Sequence, residues 1–296
     1  MKKKFRFRIG DKAFDAITYT LAILFALICL YPLYLVLINS FSDPYAVARG
    51  EVFLLPKGFS LDAYKEAFKN GDIVTGYLNS LFYLIVGTIV NLVLTIPAAY
   101  ALSKPKLKGR NLMMLMIVFT MYFSGGLVPQ YLLVRGLGLL NTRTVVILGT
   151  AVVTTNLIVA RTFFANSVPR ELEEAAEIDG CTGPQTFVKI VLPLSKAMLG
   201  VIMLYYAVAR WNNFTASLYF QPMKPEYYSL QMVLRNMLTV IQTSADLDSE
   251  VAEYYAQVFN QVKYSVIVIS SLPLLILYPF LQKYFDKGVM MGSVKG

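Results

Sequence analysis

Residues 174–193 read Glu174-Ala175-Ala176-Glu177-Ile178-Asp179-Gly180-Cys181-Thr182-Gly183-Pro184-Gln185-Thr186-Phe187-Val188-Lys189-Ile190-Val191-Leu192-Pro193. Counting back to Glu171, this polar loop carries five acidic residues, and an apolar stretch lies on either side of it. Its skeleton is Glu-Ala-Ala, three residues, Gly180, nine residues, Ile190, one residue, then Leu192-Pro193. Pro169 stands where a helix accepts proline, in its first turn. Arg170 to Asp179 are mostly good helix formers, and Gly180 suits the left-handed position that ends a helix. A second short helix is expected from about Pro184 to Val191, stopped by Leu192-Pro193. The loop therefore predicts two short helices at an angle, joined by Gly180-Cys181-Thr182-Gly183. Glu171, Glu174 and Ile178 share one helical face. Ala175 and Ala176 are small enough to let another surface come close. Taken residue by residue, the stretch would also serve as an ordinary acidic interfacial loop; it is the whole spacing that stands out.

The surroundings of the loop are apolar. Of 296 residues, 56% are hydrophobic and 15% charged, and the mean hydropathy is +0.56. A soluble domain has about a quarter of its residues charged, so the composition describes a membrane protein in contact with lipid. No polar segment is long enough to form a second core. The net charge of +9 does not imply a nucleic-acid partner, because the basic residues lie beside apolar spans, where a membrane protein places them. There is no histidine, and the two cysteines, Cys29 and Cys181, fall in an apolar span and in the polar loop. Neither a metal site nor a disulfide is expected from them, and histidine-based acid–base or zinc chemistry is excluded.

Six stretches are long enough to cross a bilayer as helices. They lie near residues 17–38, 78–102, 111–134, 145–165, 197–220 and 264–284. The expected fold is all-α, a polytopic membrane protein with six transmembrane helices. Ser124-Gly125-Gly126 and Pro129 interrupt the third span, and mark either a bend or close helix packing. Lysine and arginine crowd the tail before residue 17, the connection at Lys104, Lys106, Lys108 and Arg110, and the end of the chain at Lys283, Lys287 and Lys295. With six spans these fall on one side, which the positive-inside rule makes cytoplasmic. Both termini and the acidic loop are then cytoplasmic. The first span is too long for a cleaved signal and reads as an anchor. The resulting division is a tail at 1–16, a first span at 17–38, an external segment at 39–74, a transmembrane domain at 75–285 and a tail at 286–296. Within the external segment, residues 60–70 predict a capped amphipathic helix with Leu61, Tyr64 and Phe68 on one face.

The loop, with Leu78-Asn79-Ser80, Pro97-Ala98-Ala99-Tyr100-Ala101-Leu102 and Trp211-Asn212-Asn213-Phe214, resembles the permease subunits of bacterial ABC importers. The likeness is to the carbohydrate type, the smaller permease of maltose-like systems, and within it to Gram-positive permeases for complex oligosaccharides. It covers nearly the whole chain. It implies a complex of this chain with a second homologous permease, two ATPase subunits and an extracytoplasmic solute-binding protein. It also implies that Glu174, Ala175, Ala176, Glu177, Asp179, Gly180, Ile190 and Pro193 belong to the coupling segment gripped by the ATPase. The tail glycines Gly288, Gly292 and Gly296 would reach the ATPase dimer. This chain is expected to bind no cofactor, ATP and Mg being used by the partner ATPase. The nearest imitation of a phosphate loop, Gly71 to Gly76, is followed by Tyr77 where lysine is needed.

Polar residues inside spans are functional candidates by default. Asn91, Asn156, Tyr206, Arg210, Trp211, Asn212 and Asn213 form the candidate solute path, since aromatic faces pack on sugar C–H groups and asparagines pair with hydroxyls. The same residues would also serve as interhelical ties or interfacial anchors. Other readings are a permease for an amino acid, polyamine or phosphate, and a membrane sensor or scaffold that uses the same ATPase contact. An intramembrane enzyme is disfavoured, because no reactive cluster is visible.

Overall fold

The computed structural model describes residues 11–69, 71–244, 262–276 and 278–279. Among these residues every regular element is helical. In chain order they are α1 (Asp11–Ser40), α2 (Pro44–Ala48), α3 (Asp62–Lys69), α4 (Gly71–Ser103), α5 (Arg110–Tyr122), α6 (Leu127–Gly136), α7 (Arg143–Leu148), α8 (Thr154–Ser167), α9 (Arg170–Ile178) and α10 (Gly183–Thr186). After a π turn come α11 (Leu192–Leu194), α12 (Lys196–Trp211), α13 (Thr215–Phe220) and α14 (Leu230–Ser244). The last described helix, α15, is Val262–Ile276. Helices satisfy their own backbone groups, which lipid requires.

The chain divides into two units, one of residues 1–69 and 237–269, the other of residues 70–236 and 270–296. In the first unit, α1 is almost wholly exposed along its apolar length. Asp43 caps α2 by accepting the N–H groups of Tyr45 and Ala46, and Ser60 accepts the Asp62 N–H at the start of α3. The buried face of α3 differs from the one the pattern predicts. Ala63 and Ala67 are fully buried, whereas Phe68 is 61% exposed. Close approach decides this: the Ser265 hydroxyl reaches the Ala63 carbonyl at 3.2 Å, which a larger side chain in place of alanine would obstruct.

The second unit is built around α4, an unbroken helix of 33 residues that packs against α8 and α12. Ile96, Ala99 and Leu102 of α4 share a buried cluster with Leu157, Ala160 and Phe164 of α8 and Met198, Ile202 and Tyr206 of α12. A second cluster joins Tyr83 with Val145, Val146 and Phe220. Among the described residues two helices are long and apolar enough to cross a membrane, Phe14–Ser40 and Gly71–Ser103, or up to four if each bent pair is one span. The third, fourth and fifth expected spans are not single helices. α5 and α6 meet at 116° across Phe123–Gly126, where Gly126 takes φ +84°. The stretch 145–165 is α7 and α8 with a break between them, and α12 gives way to α13 at Asn212-Asn213. The end of the sixth expected span, beyond α15, lies largely outside the described residues.

Candidate coupling site

α9 ends as the sequence predicts, and the bonds show why. Gly180 takes φ +80°, its N–H donates to Glu177 O at 3.1 Å, and the Cys181 N–H donates to Ala176 O at 2.9 Å. This is a Schellman closure, which satisfies carbonyls that a helix end otherwise leaves unpaired. Glu171, Glu174, Ala175 and Ile178 make an exposed stripe, and the Ile178 side chain is 86% exposed. Glu177, Asp179 and Gly180 are exposed as well. The alanine pair divides its work. Ala175 faces outward, but Ala176 is 3% exposed, so its small size serves packing inside the chain.

After the turn, the Gln185 side chain accepts the Thr182 N–H at 2.9 Å, fixing the start of α10. The second helix then overruns its expected stop. Phe187–Val191 forms a π turn in which the Leu192 N–H reaches back to Phe187 O. This wider register carries the chain past Pro193, which has no N–H to offer, and the helix closes only at Leu194. Ser195 ends it, donating its N–H to Val191 O and Leu192 O and its hydroxyl to Val191 O. The helix of residues 183–194 meets α12 at 84°. Within it Ile190 is half-buried and Pro193 exposed.

Sequence reasoning missed the anchor of this loop. Glu173 points inward and pairs with Lys104, just past the end of α4; the two side chains are 20% and 27% exposed. The Tyr100 hydroxyl donates to the same carboxylate oxygen at 3.3 Å, and the Lys104 ammonium lies 3.9 Å from the centre of the Tyr100 ring. Lys106 and Glu177 approach at 3.8 Å on the open surface. Behind the clasp lies a cavity of about 560 Å³, walled by Tyr100, Lys104, Phe164, Glu173, Cys181 and Thr186 among others. From α8, the Arg161 side chain donates to Leu102 O at 3.0 Å, fixing the end of α4 from another side. The available signal was spacing: Glu173 and Ala176 are three residues apart and share the inward face.

Of the polar residues expected along a solute path, Asn91, Tyr206 and Arg210 converge on the break between α7 and α8. Asn91 donates to the carbonyls of Thr150 and Ala151 at 2.6 and 2.7 Å. Arg210 donates to Asn91 Oδ1, Val146 O, Ile147 O and Thr150 O. The Tyr206 hydroxyl accepts the Val153 N–H at 3.1 Å and pairs with Thr95 Oγ1 at 2.6 Å. Unwound backbone at membrane depth survives when such partners satisfy it. The carbonyl end of α7 also carries partial negative charge, which suits a guanidinium. Trp211 is buried and donates to Ser270 O at 2.8 Å, with Tyr77 edge-on to its ring. Asn212 bonds back to Val208 O and Asn213 caps α13 through the Ala216 N–H. Asn156 lies on the buried face of α8. Gly288, Gly292 and Gly296 lie outside the described residues.

At its other end α4 is tied to the segment before α14. Asn79 donates to the carbonyls of Glu226 and Tyr228 and accepts from Arg143 at 3.0 Å. The Ser80 hydroxyl accepts the Leu230 N–H at 2.8 Å. The Arg143 guanidinium lies 5.4 and 4.9 Å from the rings of Phe82 and Tyr227. Nearby, Glu226 is held below the ordinary carboxylate range, first by a backbone hydrogen bond of its own and then by Lys224, which it pairs with at 3.1 Å.

Residues 73–291 match the model of one family, the binding-protein-dependent transport system inner membrane component. The chain belongs to that family: it is a membrane-embedded ABC importer permease, a transport component and not an enzyme. Among its relatives, it is 40% identical over 287 residues to the polygalacturonan/rhamnogalacturonan transport system permease protein YtcP of Bacillus subtilis, with 97% of this chain and 99% of the relative covered. It is 29% identical over 276 residues to the arabinooligosaccharides transport system permease protein AraQ of the same species, covering 92% of each. A chain from the crystal structure of a bacterial ABC transporter involved in the import of the acidic polysaccharide alginate superposes with a TM-score of 0.85 at 34% identity, covering 95% of this chain and 99% of that one.

Proposed function

We propose that this chain forms half of the pore of an ATP-driven importer for acidic oligosaccharides. A second, homologous permease supplies the other half. Two ATPase subunits, which bind the ATP and Mg, sit beneath, and an extracytoplasmic solute-binding protein delivers the cargo. The chain crosses the plasma membrane six times with α5–α6, α7–α8 and α12–α13 as broken spans, and both termini are cytoplasmic. The observation that carries the coupling role is the exposed stripe of Glu171, Glu174, Ala175 and Ile178 on a helix closed by Gly180. A short helix with one exposed isoleucine and a carboxylate row fits a cleft in a soluble partner. The tail near Gly288, Gly292 and Gly296 is proposed to reach the same ATPase dimer.

For the solute path, Asn156, Asn212 and Asn213 remain candidates. Asn91, Tyr206 and Arg210 shape its wall by holding the broken backbone in place, and Trp211 by its bond to Ser270 O. The acidic cargo is supported by the substrates named for the polygalacturonan/rhamnogalacturonan permease and the alginate importer, and by Arg143. This arginine opens α7, where the helix dipole disfavours a cation, and it has no ion-pair partner among the described residues. Exposed aromatic and cationic groups side by side suit a uronate ring, whose carboxylate would meet the guanidinium. Uptake of an oligogalacturonide and of a neutral oligosaccharide of equal length, measured in vesicles holding the whole transporter, tests this. Arg143→Gln is expected to lower uptake of the acidic sugar by about tenfold, the equivalent of one charge-assisted hydrogen bond, and to spare any neutral uptake. Equal loss of both, or of neither, would contradict an acidic cargo read by Arg143.

A further inference from the structure

We infer that Glu173, clasped to Lys104 and Tyr100, is the positioning residue that passes motion of the coupling helix to α4, and that it is not part of the surface offered to the ATPase. The inference rests on the reading that α9 seats in the ATPase. Four observations carry it. Glu173 is the shielded carboxylate of α9, whereas Glu171, Glu174 and Glu177 are exposed. A pair withdrawn from solvent is screened less and acts more strongly than one in open water.

The partner of Glu173 is not on α9 or its neighbours but 69 residues away, beyond the end of α4. That helix is continuous over 33 residues, about 50 Å at 1.5 Å per residue. Along it stand Asn91, which holds the break after α7, and Asn79 and Ser80, which hold the segment before α14. A displacement of the clasp therefore reaches the wall of the path and the far loop through one rigid rod.

The cavity of about 560 Å³ beside the clasp adds the third point. Close packing does not fill the space between α9 and the end of α4, so the ionic bond is a principal tie there. Fourth, Arg161 holds Leu102 O from α8, so the end of α4 stays placed when the clasp is cut. Loss of the clasp should then loosen transmission without unfolding the bundle.

The test uses the complete transporter in sealed vesicles, with uptake and ATP hydrolysis measured on the same preparation. Glu173→Gln and Lys104→Met are expected to leave the ATPase bound and hydrolysing, and to lower solute moved per ATP by about five- to tenfold, the range of a modest coupling energy. The charge-swapped pair Glu173→Lys with Lys104→Glu restores the attraction and should recover most of the ratio. A wild-type ratio in both single variants overturns the proposal. So does a swapped pair that assembles but recovers nothing, and this decides the matter even if a single variant assembles poorly. Gly180→Pro serves as the control. If it too behaves as wild type, the ATPase contact itself is misassigned. If it is defective while Glu173→Gln is normal, only the clasp is wrong.

Discussion

Replacing Gly180 with proline is expected to cut ATP-driven uptake by about a hundredfold, the equivalent of about 2.7 kcal/mol, while the chain still enters the membrane. Gly180 holds φ +80°, and proline is locked near −65°. The substitution also removes the N–H that bonds Glu177 O at 3.1 Å, and redirecting the chain there breaks the Cys181 bond to Ala176 O. Each lost bond is worth about 1 kcal/mol. The larger effect is geometric: the angle between α9 and the helix at residues 183–194 is set at this residue, so the stripe ending in Ile178 would be turned away from its partner. Gly180→Ala should be milder, since a left-handed alanine costs about 1–2 kcal/mol but keeps the N–H. Uptake in reconstituted vesicles, beside the amount of chain recovered in membranes, measures this. Proline and alanine variants that both transport normally would mean that the turn has no part in coupling.

Arg210→Met is expected to destabilise the transmembrane bundle by about 2–4 kcal/mol. Methionine matches the arginine chain only as far as Nε, and four acceptors each lose a donor: Asn91 Oδ1 and the carbonyls of Val146, Ile147 and Thr150. Unsatisfied buried acceptors cost about 1–3 kcal/mol each in water-based proteins, and bonds between membrane helices average less, so the sum falls well below four times the upper figure. Asn91 still holds Thr150 and Ala151, which limits the loss. Gly87→Ala probes the same place from α4. Its Cβ would come within 2.8 Å of Arg210 Nε, so the guanidinium must shift and a smaller loss in the same direction is expected. Thermal unfolding of the detergent-purified transporter reads both. Unchanged unfolding temperatures would show that the break between α7 and α8 does not depend on Arg210.

The coupling loop was legible because its signals are local. Pro169 before α9 and Gly180 after it act within a few residues, and the outward stripe follows from helical spacing alone. Leu192-Pro193 misled for a related reason: proline is a reliable stop only when the helix keeps its usual register, and the π turn at Phe187–Val191 changes that register. Of the broken spans, the third carried a local signal in Ser124-Gly125-Gly126, where α5 and α6 meet at 116°, whereas the break in the fourth was not legible. A hydropathy window sees 145–165 as continuous, because apolar side chains continue through a break whose carbonyls are satisfied by Asn91 and Arg210 from distant helices. That same distance hid the use of these residues. Read along the chain, a polar group in a span looks free for solute; the structure shows Asn91 and Arg210 bonded to the backbone of the break. Lys104 entered the sequence reading only as a charge that orients the membrane, and Glu173 as one acid among five, since nothing local pairs residues 69 positions apart.

The central claim is that the exposed stripe of α9 is where the ATPase holds this chain. Co-purification of the ATPase subunits with the permease, wild type against Ile178→Asp and Glu174→Lys, tests it most directly. Both side chains are exposed and make no side-chain hydrogen bond or ion pair among the described residues, so neither change should disturb folding. The account predicts normal recovery of the permease and its partner permease, with ATPase retained at about a tenth of the wild-type level or less, as expected when a central interface contact is lost. Undiminished ATPase in both variants would place the contact elsewhere.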